Sequence, residues 1–335
     1  MTNNRDYRID IVRALCVLEI IAFWHMMDNL PSGNGLTGFA LSLGKMSTHT
    51  SLAAFGFISG LCLSKYKFEN KRDVWYFYKK RLIRFYPLLL LSSLSLLIAG
   101  FVLHRPWFTG FGQFVSTITG VNIFSPPLAF TLWYFSMIMF FYIITPLILS
   151  MKLRCKKILV AITILLVVLL LDVLFMNVDR VFYLYYPFYA LGLIVPSESL
   201  TYIYKRKIVV SFMSIACFCS MAFVAKNALG YFVNGGIYAA MISGILCLLS
   251  IAAFVNNYSN NVTRYISVIS YTSMSAYLFH RQIYFIIGYL IGDANKDLNI
   301  YTALLIAVPV IFVVSYTIQK AYDVIVAKLH LDVRY

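Results

Sequence analysis

Apolar residues run in long blocks along this chain, broken at short intervals by clusters of Lys, Arg, Asn, Gly and Pro. A helix needs roughly 20 mainly apolar residues to cross the hydrocarbon core of a bilayer. About ten stretches approach that length, near 9–28, 46–65, 82–103, 130–151, 158–176, 181–196, 208–225, 231–255, 266–292 and 300–327. Apart from 29–45 and 104–129 the gaps are short, and no segment is long or polar enough to be a separate soluble domain. The pattern predicts an all-α polytopic membrane bundle of about ten transmembrane helices, with residues 1–335 as a single integral-membrane domain.

Charge fixes the expected orientation. Assigned to alternate sides of ten spans, 21 Lys and Arg residues fall on one side and 5 on the other, with Arg13 and Arg281 inside spans. The dense side holds the cluster from Lys65 to Arg84, and the positive-inside rule then puts both termini in the cytoplasm. Composition agrees: of 335 residues 61% are hydrophobic and only 12% charged, too few charges to clothe a soluble surface. A net charge of +15 in a soluble protein would suggest nucleic acid. Here the basic residues sit between apolar runs, so the expected partner is the lipid bilayer, and no nucleic acid is expected.

The six cysteines, Cys16, Cys62, Cys155, Cys217, Cys219 and Cys247, fall in spans or a cytoplasmic loop and suggest neither disulfides nor a zinc site, so no metal is expected. No Gly-rich phosphate loop with a following Lys and Ser or Thr is present, which argues against an ATP-driven pump. The first apolar run carries Asp10, Arg13, Glu19 and His25, a load that a signal-peptide core does not tolerate, and it is read as a span.

Charged groups in the hydrocarbon cost a few kcal/mol or more and usually face a cavity. Asp10 and Arg13, three apart, share one helix face near the cytoplasmic interface; they are either an ion pair that eases insertion or the start of an anion site. His25, at the outer end of the same span, has Asp28 three residues on. A carboxylate that orients a histidine makes a general base; the plainer reading is an interfacial histidine beside an exposed carboxylate. Glu19, nearer the bilayer centre, either pairs with a polar group on another span or is held protonated by desolvation. Arg81 and Arg84, within Lys79–Lys80–Arg81 and Arg84, are spaced to share a face, where two guanidinium forks suit phosphate oxygens; as a plain alternative they anchor the topology. In the ninth span Ser275, Tyr277, His280 and Arg281 interrupt an apolar run that gains nothing structural from them, which points to a site lining. Trp133 and Tyr134 suit an interfacial belt or a sugar-stacking platform.

Together these fragments resemble acyltransferase family three of membrane-bound O-acyltransferases. Ile9-Asp10-Ile11-Val12-Arg13-Ala14 with His25 beyond is similar to the family's opening Asp-x-x-Arg and outer histidine. Phe55-Gly-Phe-Ile-Ser-Gly60 resembles its second-span segment, and Lys80-Arg81-Leu-Ile-Arg84-Phe-Tyr-Pro87 its Arg-x-x-Arg motif. Leu132-Trp133-Tyr-Phe135, Tyr186-Pro-Phe-Tyr-Ala-Leu-Gly192 and Ser275-Ala-Tyr-Leu-Phe-His280 follow in the family's order across nearly the whole chain. Ser136, Met137 and Met139 stand where many relatives carry an acidic residue, as in the fucose-acetylase-like subgroup. The family usually places ten residues between the arginine and the histidine, and here there are eleven. At about 100° per residue twelve steps leave the two about 120° apart, whereas eleven align them, so a π-bulge that absorbs one residue would restore the alignment.

The resemblance implies a multi-pass enzyme of the bacterial cytoplasmic membrane that moves an acetyl or short acyl group from cytoplasmic acetyl-CoA, or another acyl-CoA, to a hydroxyl of a cell-surface glycan or lipid-linked sugar. It implies that His25 removes the acceptor's proton, helped by Asp28, and that Arg13, Arg81 and Arg84 bind CoA phosphates. Trp133, His280 and Asp10 would line the substrate site. His25 lies about 18 Å from Arg13 by helical rise, comparable to the reach of a pantetheine arm. The rival class is a transporter or polysaccharide exporter, which about ten spans with charges in the bilayer would also describe; against it stands the lack of an inverted repeat in the sequence. A non-catalytic structural or sensor subunit is the third reading.

Overall fold

A buried backbone in lipid must satisfy its own hydrogen bonds, and the chain does so with helices. The computed structural model describes residues 6–27, 38–104, 106–124, 128–175, 178–227, 231–255, 260–292 and 298–329. Among these residues every regular element is helical. Helix α1 (Tyr7–Leu18) runs into a π-helix (Glu19–His25), and α2 (Gly38–Leu63), α3 (Lys71–Val102) and the short α4 (Phe111–Ile118) follow. Then come α5 (Trp133–Leu149), α6 (Arg154–Leu174), α7 (Arg180–Ile194), α8 (Ser197–Lys205), α9 (Lys207–Asn227), α10 (Tyr231–Val255) and α11 (Asn260–Ile291). The chain ends on α12 (Ile300–Thr302), a π-turn (Ala303–Ala307) and α13 (Val308–Lys328).

Each predicted span falls on a helix, yet only five described helices are long and apolar enough by themselves to cross a membrane, or six if the bent pair Ser199–Lys205 and Lys207–Phe223 is one span. The shortfall has a physical pattern. Helices α5 and α7 have 17 and 15 residues, while α1 carries Asp10 and Arg13 and α11 carries Arg264, His280 and Arg281. Length limits α5 and α7, and charged or polar residues lower the hydropathy of α1 and α11.

Starts and breaks follow local chemistry. Asp6 caps α1 by accepting from the Arg8 N–H at 3.0 Å, and it also pairs with the Arg8 guanidinium at 2.8 Å. Asn70 and Asp73 form a reciprocal capping box at the start of α3. Pro87 lies inside α3 and has no N–H for the carbonyl of Ile83; the Tyr322 hydroxyl donates to that carbonyl instead.

The chain forms two compact units: residues 1–55 with 196–319, and residues 56–195 with 320–335. In the first, α1 packs on α11 and α10, and α10 on α9. Its core includes Ile11, Val12, Cys16, Val17, Ile20 and Ile21. In the second, α5 packs on α3, α6 and α7 around an aromatic core in which the Phe141 and Tyr189 rings stack 4.8 Å apart. There α2 and α7 approach through glycine: a Cβ on Gly60 would strike the Tyr189 carbonyl, and one on Gly192 the Phe57 carbonyl. Such close backbone contact is the usual use of small residues between membrane helices.

Because backbone cannot step aside as a side chain does, Gly192→Ala is expected to destabilise the second unit by more than about 3 kcal/mol. Gly112, exposed and with nothing within 4 Å of its built Cβ, tolerates Ala to within about 1 kcal/mol. Thermal unfolding of the detergent-solubilised variants separates the two outcomes.

Candidate functional site

The site begins with a backbone irregularity. Helix α1 is regular to Leu18, and Glu19–His25 then widens into a π-helix. Such a turn absorbs one extra residue, so the twelve steps from Arg13 to His25 act as eleven and bring both onto one face. Widening also disturbs the ladder of carbonyls and N–H groups, each of which needs a partner when buried. The Tyr284 hydroxyl on α11 supplies one by donating to the Ile21 carbonyl at 2.8 Å.

The same helix reaches His25 itself. Arg281 Nη2 donates to His25 Nδ1 at 2.6 Å. The His25 ring stacks on that of His280, with centroids 4.8 Å apart and planes inclined by 30°. His280 is fully buried, and its Nδ1 lies 2.8 Å from the Tyr277 carbonyl and 3.2 Å from that of Ala276. Tyr277, His280, Arg281 and Tyr284 are spaced i, i+3, i+4 and i+7, the period of one helical face. Two turns earlier on α11, Ser270 Oγ donates to the buried Asp10 carboxylate at 2.8 Å. One face of α11 therefore holds α1 at three levels: Asp10 near its start, Ile21 within the π-turn and His25 at its end.

Of the residues singled out in the sequence, His25, His280 and Arg281 meet directly. Asp10 is tied to α11, and Arg13 lies one turn further along α1, half-buried. Glu19 pairs with polar groups on α2: Ser47 Oγ and Thr48 Oγ1 donate to Oε1 at 2.6 and 3.1 Å. Asp28 lies outside the described residues. Among the described residues no three His, Cys, Asp or Glu side chains gather as a metal site.

Arg81, Arg84 and Trp133 belong to the second unit. Arg81 is 8% exposed, its guanidinium 5.7, 5.4 and 5.4 Å from the ring centres of Tyr66, Phe77 and Tyr142. Three aromatic faces around one cation stabilise it where water is scarce. Arg84 is half-buried, beside the Phe85 ring at 5.7 Å, and is the more open of the two. Trp133, also half-buried, stacks on Tyr185 at 5.9 Å and meets Tyr134 edge-on at 5.7 Å.

Sequence reading missed Tyr284, Ser270 and the Ser47–Thr48 pair. The first was open to detection, because it completes the stripe begun by Tyr277, His280 and Arg281; the others carry no signal until the helices are placed.

Tyr284→Phe leaves the Ile21 carbonyl without this donor, and the expected loss is about 1–3 kcal/mol of stability. Tyr301→Phe, at a residue 74% exposed, is expected to stay within about 0.5 kcal/mol of the wild type. Thermal unfolding in one detergent tests both.

A comparison with family models finds a match over residues 6–319 to the acyltransferase domain of acyltransferase family three. No curated protein and no solved structure matches the chain. The match takes in α1 with its π-turn, Arg81 and Arg84 of α3 and the whole of α11, and it covers nearly the full length: the chain belongs to acyltransferase family three.

Proposed function

We propose that this membrane acyltransferase moves an acetyl or short acyl group from cytoplasmic acyl-CoA to a hydroxyl of an extracytoplasmic cell-surface glycan or lipid-linked sugar. In this reading the ten predicted spans cross the bacterial cytoplasmic membrane with both termini inside, as the distribution of Lys and Arg favours. The observation that carries the proposal is the contact of His25 with Arg281 and His280 within an acyltransferase domain. An imidazole can accept a proton or donate a hydrogen bond, and a guanidinium bonded to one ring strengthens that ring's N–H as a donor where a thioester carbonyl becomes an oxyanion.

The remaining residues take roles that fit their chemistry. Arg13, Arg81 and Arg84 are each assigned to phosphates of the CoA donor, Arg81 from among the aromatic rings that surround its guanidinium. Asp10 holds α1 in register through Ser270 and so sets the position of Arg13. The Trp133–Tyr185 stack offers an apolar face for a sugar ring. Asp28 assists His25 at the outer end of the span. The family match disfavours an exporter, whose function needs no group that handles acyl transfer.

Purified protein in nanodiscs, given acetyl-CoA labelled in the acetyl group, is expected to release CoA and to pass label to a glycan acceptor. His25→Ala and the double variant Arg81→Ala/Arg84→Ala should each lower CoA release by about 100-fold or more, the first by removing an imidazole from the reaction centre and the second by weakening donor binding. Folded wild-type protein that neither binds nor cleaves acetyl-CoA, with a panel of glycan acceptors present, would overturn the proposal.

A further inference from the structure

The two histidines do not make the same hydrogen bonds, and the difference assigns them different work. A guanidinium has donors and no acceptor, so His25 Nδ1 receives the Arg281 bond through its lone pair, and the ring carries its proton on Nε2. A guanidinium on Nδ1 also leaves no place there for a second proton. His280 is the converse. Carbonyls only accept, so its Nδ1 donates to Tyr277 and Ala276, and in the neutral ring the lone pair is on Nε2. That Nε2 atom is buried and has no hydrogen-bond partner among the described residues. A buried polar atom left unsatisfied costs about 1–3 kcal/mol, and in a folded protein it asks for an explanation such as a ligand or a catalytic role.

We infer that His280 Nε2, rather than His25, takes the proton of the acceptor hydroxyl, and that His25, polarised by Arg281, donates its Nε2–H to the thioester carbonyl oxygen. The inference rests on the acyl-transfer reading and settles which atom does what within it. As the acceptor oxygen attacks the thioester carbon, its proton passes to His280 Nε2. The carbonyl π electrons move onto oxygen, where the His25 N–H, polarised by the guanidinium on Nδ1, stabilises the charge. Collapse of the tetrahedral adduct re-forms the C=O bond and breaks the C–S bond. The CoA thiolate leaves with the bonding pair and takes the proton back from the His280 imidazolium, so the products are the ester and CoA thiol. His280 is the catalytic base, His25 the catalytic hydrogen-bond donor, and Arg281 a positioning residue that fixes the His25 tautomer. The 4.8 Å stack puts the accepting ring and the donating ring face to face within one site.

Side-chain amides separate the two roles, because the Asn amide falls near the place of Nδ1 and the Gln amide near that of Nε2. His280→Asn can keep the bond to the Tyr277 carbonyl while deleting the Nε2 lone pair. His25→Gln can keep an N–H donor where Nε2 was, but it accepts no proton. The full-length protein in nanodiscs is given labelled acetyl-CoA with either methyl hexosides or hydroxylamine. Hydroxylamine attacks as a free amine and needs no base to remove a proton first. His280→Asn is expected to lower transfer to the hexosides by about 10²–10⁴-fold, the usual contribution of a general base, and to leave transfer to hydroxylamine within about tenfold of wild type. His25→Gln is expected to stay within about tenfold of wild type towards both, whereas His25→Ala loses about 10²–10³-fold towards both, as when an oxyanion donor is removed. Matched elution and unfolding temperatures establish that each variant is folded. The inference is overturned if His280→Asn keeps transfer to the hexosides, or if His25→Gln is as inactive as His25→Ala towards hexosides yet active towards hydroxylamine. Wild-type protein that transfers label to neither nucleophile overturns the acyl-transfer reading and the inference with it.

Discussion

The candidate site depends on the hydrogen bond from Arg281 to His25, made where the helix that begins with α1 has one residue too many. A regular α-helix from Arg13 would turn His25 about 120° away from it. The π-turn Glu19–His25 removes that error, and it is secured from α11 by the Tyr284 hydroxyl on Ile21. Ser270 on Asp10 fixes the other end of α1. Arg281 stands in a largely apolar run, where a bare charge is costly; there it bonds one imidazole, with a second imidazole stacked beyond. Backbone irregularity and intramembrane charge are two sides of one arrangement, and each would be a defect without the other.

The second unit follows the same logic with different groups. Arg81 lies among Tyr66, Phe77 and Tyr142, so its charge is met by aromatic faces rather than by a carboxylate. One turn further along α3, Arg84 is more open. Just beyond, Pro87 takes one N–H out of the ladder, and Tyr322 from the end of α13 satisfies the carbonyl that it strands. Tyrosine plays a recurrent part here: its ring packs in an apolar layer while its hydroxyl mends a broken backbone hydrogen bond.

Much of this was legible in the sequence. Long apolar blocks gave the helices and their order, and the His280–Arg281 pair stood out because nothing structural calls for it in an apolar run. The surplus residue between Arg13 and His25 was visible as arithmetic, and the π-turn that answers it is the form such a surplus takes. What stayed hidden depends on neighbours far along the chain. Glu19 reads as an isolated intramembrane acid until Ser47 and Thr48 are placed beside it from α2. His280 and Arg281 read as one adjacent pair, whereas Arg281 bonds His25, 256 residues away. Span counting from hydropathy is weakest at α1 and α11, because charged and polar residues interrupt their apolar runs.

The claim that the π-turn exists to align His25 is tested most directly by changing the length of that turn. Deleting Ala22 removes the surplus residue and lets Glu19–His25 relax to a regular helix with His25 on the same face; inserting one alanine after Ala22 rotates His25 by about 100°. With labelled acetyl-CoA and folded protein, the account predicts that the deletion keeps CoA release within about tenfold of wild type and that the insertion abolishes it. Loss of release on deletion, with release retained on insertion, would contradict it.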